Sequence, residues 1–144
     1  MIKKSSEYNK PLKPIPRQLH QKAFDNSLLP NIISVVEDGK IISVNRAAGK
    51  LLGYPKKILL TKNLRDIFNG ADSGFTQMIK RRAAVGQATG NLMATKKNGR
   101  QLPCQITSVI FTGDNDVKKA ITTLVDRSEG IRRQKKIDTK KEKK

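Results

Sequence analysis

Two β-branched runs, Ser34 to Glu37 and Ile41 to Val44, stand out along the chain, separated by Asp38-Gly39. Glycine tolerates φ > 0, so an Asp-Gly pair between such runs predicts a β-hairpin. Asn45 follows at a helix N-cap position, where its side-chain oxygen can accept an orphan backbone N–H. Ala47, Ala48, Leu51 and Leu52 then share one face of a short helix, Gly53 closes it as a C-terminal glycine would, and Pro55 lies just beyond. The apolar face of that helix is expected to lie against the sheet.

On either side the periodicity predicts further elements. Leu19, Ala23, Phe24 and Leu28 recur near helical spacing, which predicts an amphipathic helix over 17–29 closed by Pro30. Pro55 to Phe68 reads as short helical turns whose apolar surface comes from Ile58, Leu59, Leu60, Leu64, Ile67 and Phe68, and Asn69-Gly70 breaks the chain. A longer helix is predicted over 71–86, with Phe75, Met78, Ile79 and Ala83 on an inward stripe and Lys80, Arg81 and Arg82 turned outward. Residues 87–126 supply three long antiparallel strands: Gln87 to Lys97 meets Arg100 to Phe111 across Asn98-Gly99, and Gly113-Asp114-Asn115-Asp116 turns the chain into Lys118 to Asp126. Alternation puts Cys104, Ile106 and Ser108 on one face of the middle strand and Gln105 and Thr107 on the other.

The order of hairpin, Asn45, short apolar helix and Gly53-Tyr54 resembles the opening of a PAS (S-box) sensor domain. Downstream, Lys97-Asn98-Gly99-Arg100-Gln101-Leu102-Pro103 looks like that family's Asn/Asp-Gly hairpin, and Val125-Asp126-Arg127-Ser128-Glu129 looks like its Asp-x-Thr/Ser-Glu exit motif. The resemblance covers residues 23–131. It implies an α+β fold, a five-stranded antiparallel sheet with short helices and one longer helix on one face. By it the chain divides into a basic Pro-containing arm (1–16), a flanking helix (17–29), the domain (30–128) and a basic C-terminal helix or tail (129–144). The structural motif residues would be Asp38, Gly39, Asn45, Gly53 and Gly99.

The same resemblance implies a ligand pocket under the 71–86 helix, lined by Val44, Phe75, Met78, Ile79, Cys104, Ile106 and Ser108. Cys104 is then a small buried apolar residue, and the inward hydroxyl of Ser108 must find a partner, either a backbone group or a polar ligand atom. Asp126 and Ser128 would couple the last strand to the C-terminal segment, or simply cap a helix with the same atoms. A flanking helix of this kind packs on the outer sheet face or builds a dimer, with Leu19, Phe24 and Leu28 as the candidate homodimer interface. In the tail, Ile131 and Ile137 are the only large apolar residues, so no sustained heptad supports a coiled coil.

Charge complicates this picture. The 144 residues carry a net +18: residues 1–22 contribute +5, 132–144 contribute +6, and the 109 between them only +7. Such arms are either solvated ends of a lysine-rich protein or electrostatic contacts to nucleic acid or an anionic membrane surface. The second reading, a basic nucleic-acid-associated protein using its arms, lacks support from aromatics, with two Tyr, four Phe and no Trp, and from any helix-turn-helix pattern. Pro11-Leu12-Lys13-Pro14 has the form of a polyproline ligand, a pattern frequent by chance.

Catalytic chemistry is scarce. One His, His20, falls on the flanking helix, and one Cys, Cys104, in a strand, so neither a Ser-His-Asp nor a Cys-His arrangement can form, no grouping has metal-ligand spacing, and no internal disulfide exists. Gly86-Gln87-Ala88-Thr89-Gly90 lacks the Lys-Ser/Thr of a P-loop. The chain is therefore expected not to be an enzyme. Adduct-forming flavin relatives carry Asn-Cys-Arg-Phe where this chain has Asn63-Leu64-Arg65-Asp66, and haem-binding relatives use a histidine on the long helix, where residues 71–86 have none. The cofactor stays unknown, between a non-covalent small molecule and an empty packed core that works through protein contacts. No run of 18 apolar residues could span a membrane and the basic N-terminus leads into Pro-rich polar sequence, so a cytoplasmic sensor is expected, with a downstream signalling protein as partner, within a sensor kinase or transcription regulator.

Overall fold

A computed structural model describes residues 16–142, with side chains described to residue 138. Among these, the elements in chain order are α1 (Arg17–Asn26), β1 (Asn31–Val35), β2 (Ile41–Val44), α2 (Arg46–Leu52), α3 (Lys56–Leu59), α4 (Leu64–Phe68), α5 (Ser73–Val85), β3 (Gln87–Thr95), β4 (Gln101–Thr112), β5 (Lys118–Asp126) and α6 (Ser128–Glu142). The strands form one antiparallel sheet in the order β2-β1-β5-β4-β3. The expected α+β architecture is the observed one. The arm at 1–15 and its Pro11-to-Pro14 motif lie outside the described residues.

Period-2 alternation decides the faces. Ile32, Ser34, Ala120, Thr122, Leu124, Cys104, Ile106, Ser108, Leu92 and Ala94 are buried on the inner face. Helices α2 to α5 cover it with Ala48, Leu52, Leu59, Leu64, Ile67, Phe68 and Met78, and Phe68 stacks on Phe75 at 6.2 Å. Burial of this set supplies the main driving force. Ile58, read as part of that surface, is instead exposed.

Both hairpin turns are wider than the two-residue turns expected. β1 runs from Asn31 to Val35, so it starts and stops earlier than the Ser34-to-Glu37 run. The Val35 amide donates to the Lys40 carbonyl at 2.9 Å across a four-residue loop. Gly39 sits at φ +77, and a Cβ there would meet Asn63 Oδ1 at 2.6 Å. That close approach lets the Asn63 amide donate to the Asp38 carbonyl while its oxygen caps α4, so the first hairpin is pinned to the helix it faces. The second hairpin is a three-residue loop in which Gly99 donates to Lys96 and Lys96 to Arg100, both at 2.9 Å, with Gly99 alone at positive φ. This is the type I turn plus glycine bulge, which needs one left-handed residue instead of two.

At the N-terminus α1 ends at Asn26, three residues before the expected stop, because Ser27 is extended (ψ 136). Leu28 therefore lies off the helix and is 94% exposed, Leu19 and Ala23 are exposed, and Phe24 is half-buried. Leu19, Phe24 and Leu28 thus do not form one stripe, and α1 packs chiefly against α2, away from the outer sheet face. At the other end α6 is a regular helix with Ile137 exposed and Ile131 half-buried.

Candidate functional site

The long helix α5 is capped by Asp72, whose carboxylate accepts from Gly74 N at 2.8 Å, and closed by Gly86 in the left-handed region. It lies across β3, where Gly90 permits the approach: a Cβ at Gly90 would come within 3.4 Å of Arg81 Nη2 and 3.7 Å of Met78 Sδ. Arg81 turns to the edge and donates to the Thr89 carbonyl at 3.1 Å. Its neighbour does the opposite. Arg82, expected to point outward, is only 3% exposed, and Ala83, expected inward, is exposed. The reason is geometric, since Phe75, Met78, Ile79 and Arg82 fall at i, i+3, i+4 and i+7 and Ala83 lies one step past that stripe.

The Arg82 guanidinium enters a corner of the inner face paved with short side chains. Ser108 pairs with Thr122 across β4 and β5 and with Ala88 across β3, while Ser34 on β1 pairs with Ala120. Arg82 Nη1 donates to Ser108 Oγ at 3.1 Å, and Ser108 Oγ shares a hydrogen bond with Thr122 Oγ1 at 2.9 Å. The partner of Ser108 is thus a buried arginine and a threonine, where a backbone group or a ligand atom was expected. Among the described residues Arg82 Nε and Ser34 Oγ are buried without any partner. Among the described residues no carboxylate pairs with Arg82; the Arg133–Glu129 ion pair is exposed on α6. Burial pushes the guanidinium below its usual range, but arginine titrates too high to become neutral at ordinary pH. A largely buried guanidinium with no anionic partner is a costly feature of this core.

Of the residues assigned to a pocket, Val44, Met78, Cys104, Ile106 and Ser108 are buried in the same core, and Phe75 and Ile79 are half-buried on the facing helix. Cys104 is 1% exposed, and burial first, then the nearby charge of Asp126, pushes its thiol up to about 11 from an ordinary 9.0. The folded state therefore holds its proton more tightly than the unfolded chain. Its contribution to stability is complete below pH 9 and is lost as pH rises through 11, so urea midpoints are expected to fall over that window in the wild type and less in Cys104→Ala. At pH 8 a thiol reagent is expected to label Cys104 only on unfolding.

The remaining candidate residues lie at the end of β5. Asp126 pairs with Cys104 across the sheet, its carboxylate accepts from Ser128 N at 2.8 Å, and the Arg127 amide donates to the Pro103 carbonyl at 2.8 Å. The start of α6 is thereby held to both β4 and β5. A groove lined by Leu102, Pro103, Asp126, Ser128 and Ile131 runs along the junction. Among the motif residues, Asn45 caps α2 as expected and Gly53 closes it at φ +78; outside that set, Asn63 opens α4 in a capping box with Asp66. His20 is exposed, and no group of three or more His, Cys, Asp or Glu among the described residues could hold a metal. No helix among them is long and apolar enough to cross a membrane.

Comparison with known proteins agrees with this geometry. A family model described as PAS domain matches residues 30–129. The fold is similar to a PAS domain from a two-component sensor histidine kinase, with a TM-score of 0.66 at 14% identity over 76% of this chain and 94% of that one. It is similar to the PAS domain of a protein from Colwellia psychrerythraea, with a TM-score of 0.66 at 21% identity over 76% and 94%. It is also similar to the PAS domain of nitrogen regulation protein NR(II) from Vibrio parahaemolyticus, with a TM-score of 0.63 at 16% identity over 75% and 97%. At these identities the likeness is one of fold. The sequence matches no curated protein.

Proposed function

Because the chain belongs to the PAS domain family, we propose that it is a signal-sensing module in which engagement of the inner sheet face is relayed through β5 to α6 and on to a downstream signalling protein. One observation carries the reading: the same strand holds both ends of the path. Thr122 on β5 belongs to the buried polar cluster, and Asp126, four residues on and about 13 Å away at strand rise, fixes the first turn of α6. A small molecule or protein partner that prefers one arrangement of the cluster shifts the strand by its differential affinity, and only by that. The sensory part of a sensor kinase or a transcription regulator is the setting that suits such a module, with the basic exposed face of α6 as its outgoing contact. The pocket residues named above are then the walls of the sensing face.

Amide hydrogen exchange tests the relay without knowledge of the ligand. Ser108→Ala or Thr122→Val is expected to change exchange rates in residues 128–138 by about threefold or more, and Asp126→Ala is expected to abolish that response while leaving β4 protected. If α6 exchanges identically in wild type, Ser108→Ala and Thr122→Val, the strand does not transmit.

A further inference from the structure

We propose that Arg82, with the hydroxyls of Ser108 and Thr122, forms a binding site for a short-chain carboxylate. The guanidinium spends one N–H of Nη1 on Ser108, and its Nε–H has no partner among the described residues. Among the described residues Nη2 also makes no hydrogen bond, so the Nε/Nη2 edge is free. Two parallel N–H groups on one edge match the two oxygens of a carboxylate, the geometry that separates arginine from a point charge. A hydrogen bond to a neutral hydroxyl does not compensate a buried positive charge; an anion does.

The hydroxyls fit the same role. Ser108 and Thr122 hold one another at 2.9 Å and so fix the position of the guanidinium. The surrounding side chains limit size: Ile32, Ile106, Ala88 and Ala120 are all buried around the corner.

The assignment deepens the sensing reading and rests on it for its use, yet binding and relay fail separately. The full chain, labelled with nitrogen-15, would be titrated with sodium formate, acetate and pyruvate against sodium chloride at fixed ionic strength. The Arg82 Nε–H signal and α6 amide exchange would be read together. A saturable displacement of that signal is expected, at least tenfold weaker in Ser108→Ala, and Arg82→Met should show no saturable response at the neighbouring Ser108 and Thr122 amides. No saturation, or equal saturation at those amides in Arg82→Met, overturns the site. An equal response when sodium nitrate replaces the carboxylate salts overturns the carboxylate class. Saturation with α6 exchange unchanged keeps the site and removes the relay.

Discussion

Asn45→Ala is expected to cost about 3 kcal/mol of folding stability, read as a lower urea midpoint with unchanged slope and a melting temperature lower by about 10 °C. Asn45 is 2% exposed and does three jobs at once. Its Oδ1 accepts from Ala48 N at 3.0 Å, capping α2, and from Asn31 N at 2.9 Å, while its Nδ2 donates to the Leu29 carbonyl at 2.8 Å. Loss of an N-cap alone costs about 1 kcal/mol. Here alanine also removes the partners of a part-buried amide and a part-buried carbonyl at the entry to β1, each costing about 1 kcal/mol. Asn45→Ser separates the contributions, since a serine can cap Ala48 but is too short to hold Leu29. It is expected to recover about 1 kcal/mol of the loss. Full recovery would make Asn45 only a cap.

That residue also marks how far the sequence could be read. The N-cap role of Asn45 follows from local chemistry, because a cap is fixed by residues three apart. The staple to residues 29 and 31 is not legible, since it joins positions fourteen and sixteen apart whose proximity exists only once β1 and β2 pair. Strand existence and inner-face membership followed from alternation, as for Cys104, Ile106 and Ser108. Turn form did not, because Asp38-Gly39 and Asn98-Gly99 signal a left-handed residue without specifying how many others share the loop. The C-terminal limit of α1 was missed for a related reason: Leu28 continued the apolar spacing, but nothing beyond α1 covers it.

Arg82 was missed through residue type. Its position at i+7 from Phe75 placed it on the inward stripe, and its charge argued the reverse, since arginine is almost never fully buried unless paired. Consistency of spacing with three apolar neighbours was the signal available. Local rules are expected to fail where a fold gives up stability for a function, and Arg82 breaks one with no compensating partner among the described residues.

Arg82→Met is accordingly expected to raise stability, by about 2 kcal/mol, where a residue chosen for structure would lower it. Desolvating an ion costs several kcal/mol even after relaxation. The single hydrogen bond to Ser108 returns about 1.5 to 3 kcal/mol of that. Methionine keeps an unbranched stem of similar length, fills the same corner and carries no charge. Ser108 retains its bond to Thr122, so the substitution creates no new orphan among the hydroxyls. The melting temperature should therefore rise by about 6 °C. A loss of more than 1 kcal/mol would instead make the arginine a structural element of the core. Sodium acetate gives the decisive comparison: a ligand that binds only the folded wild type stabilises it by about 2.7 kcal/mol at a hundredfold excess over its dissociation constant. The advantage of Arg82→Met is then expected to shrink as acetate rises and finally to reverse, because the anion supplies the charge that the folded chain lacks.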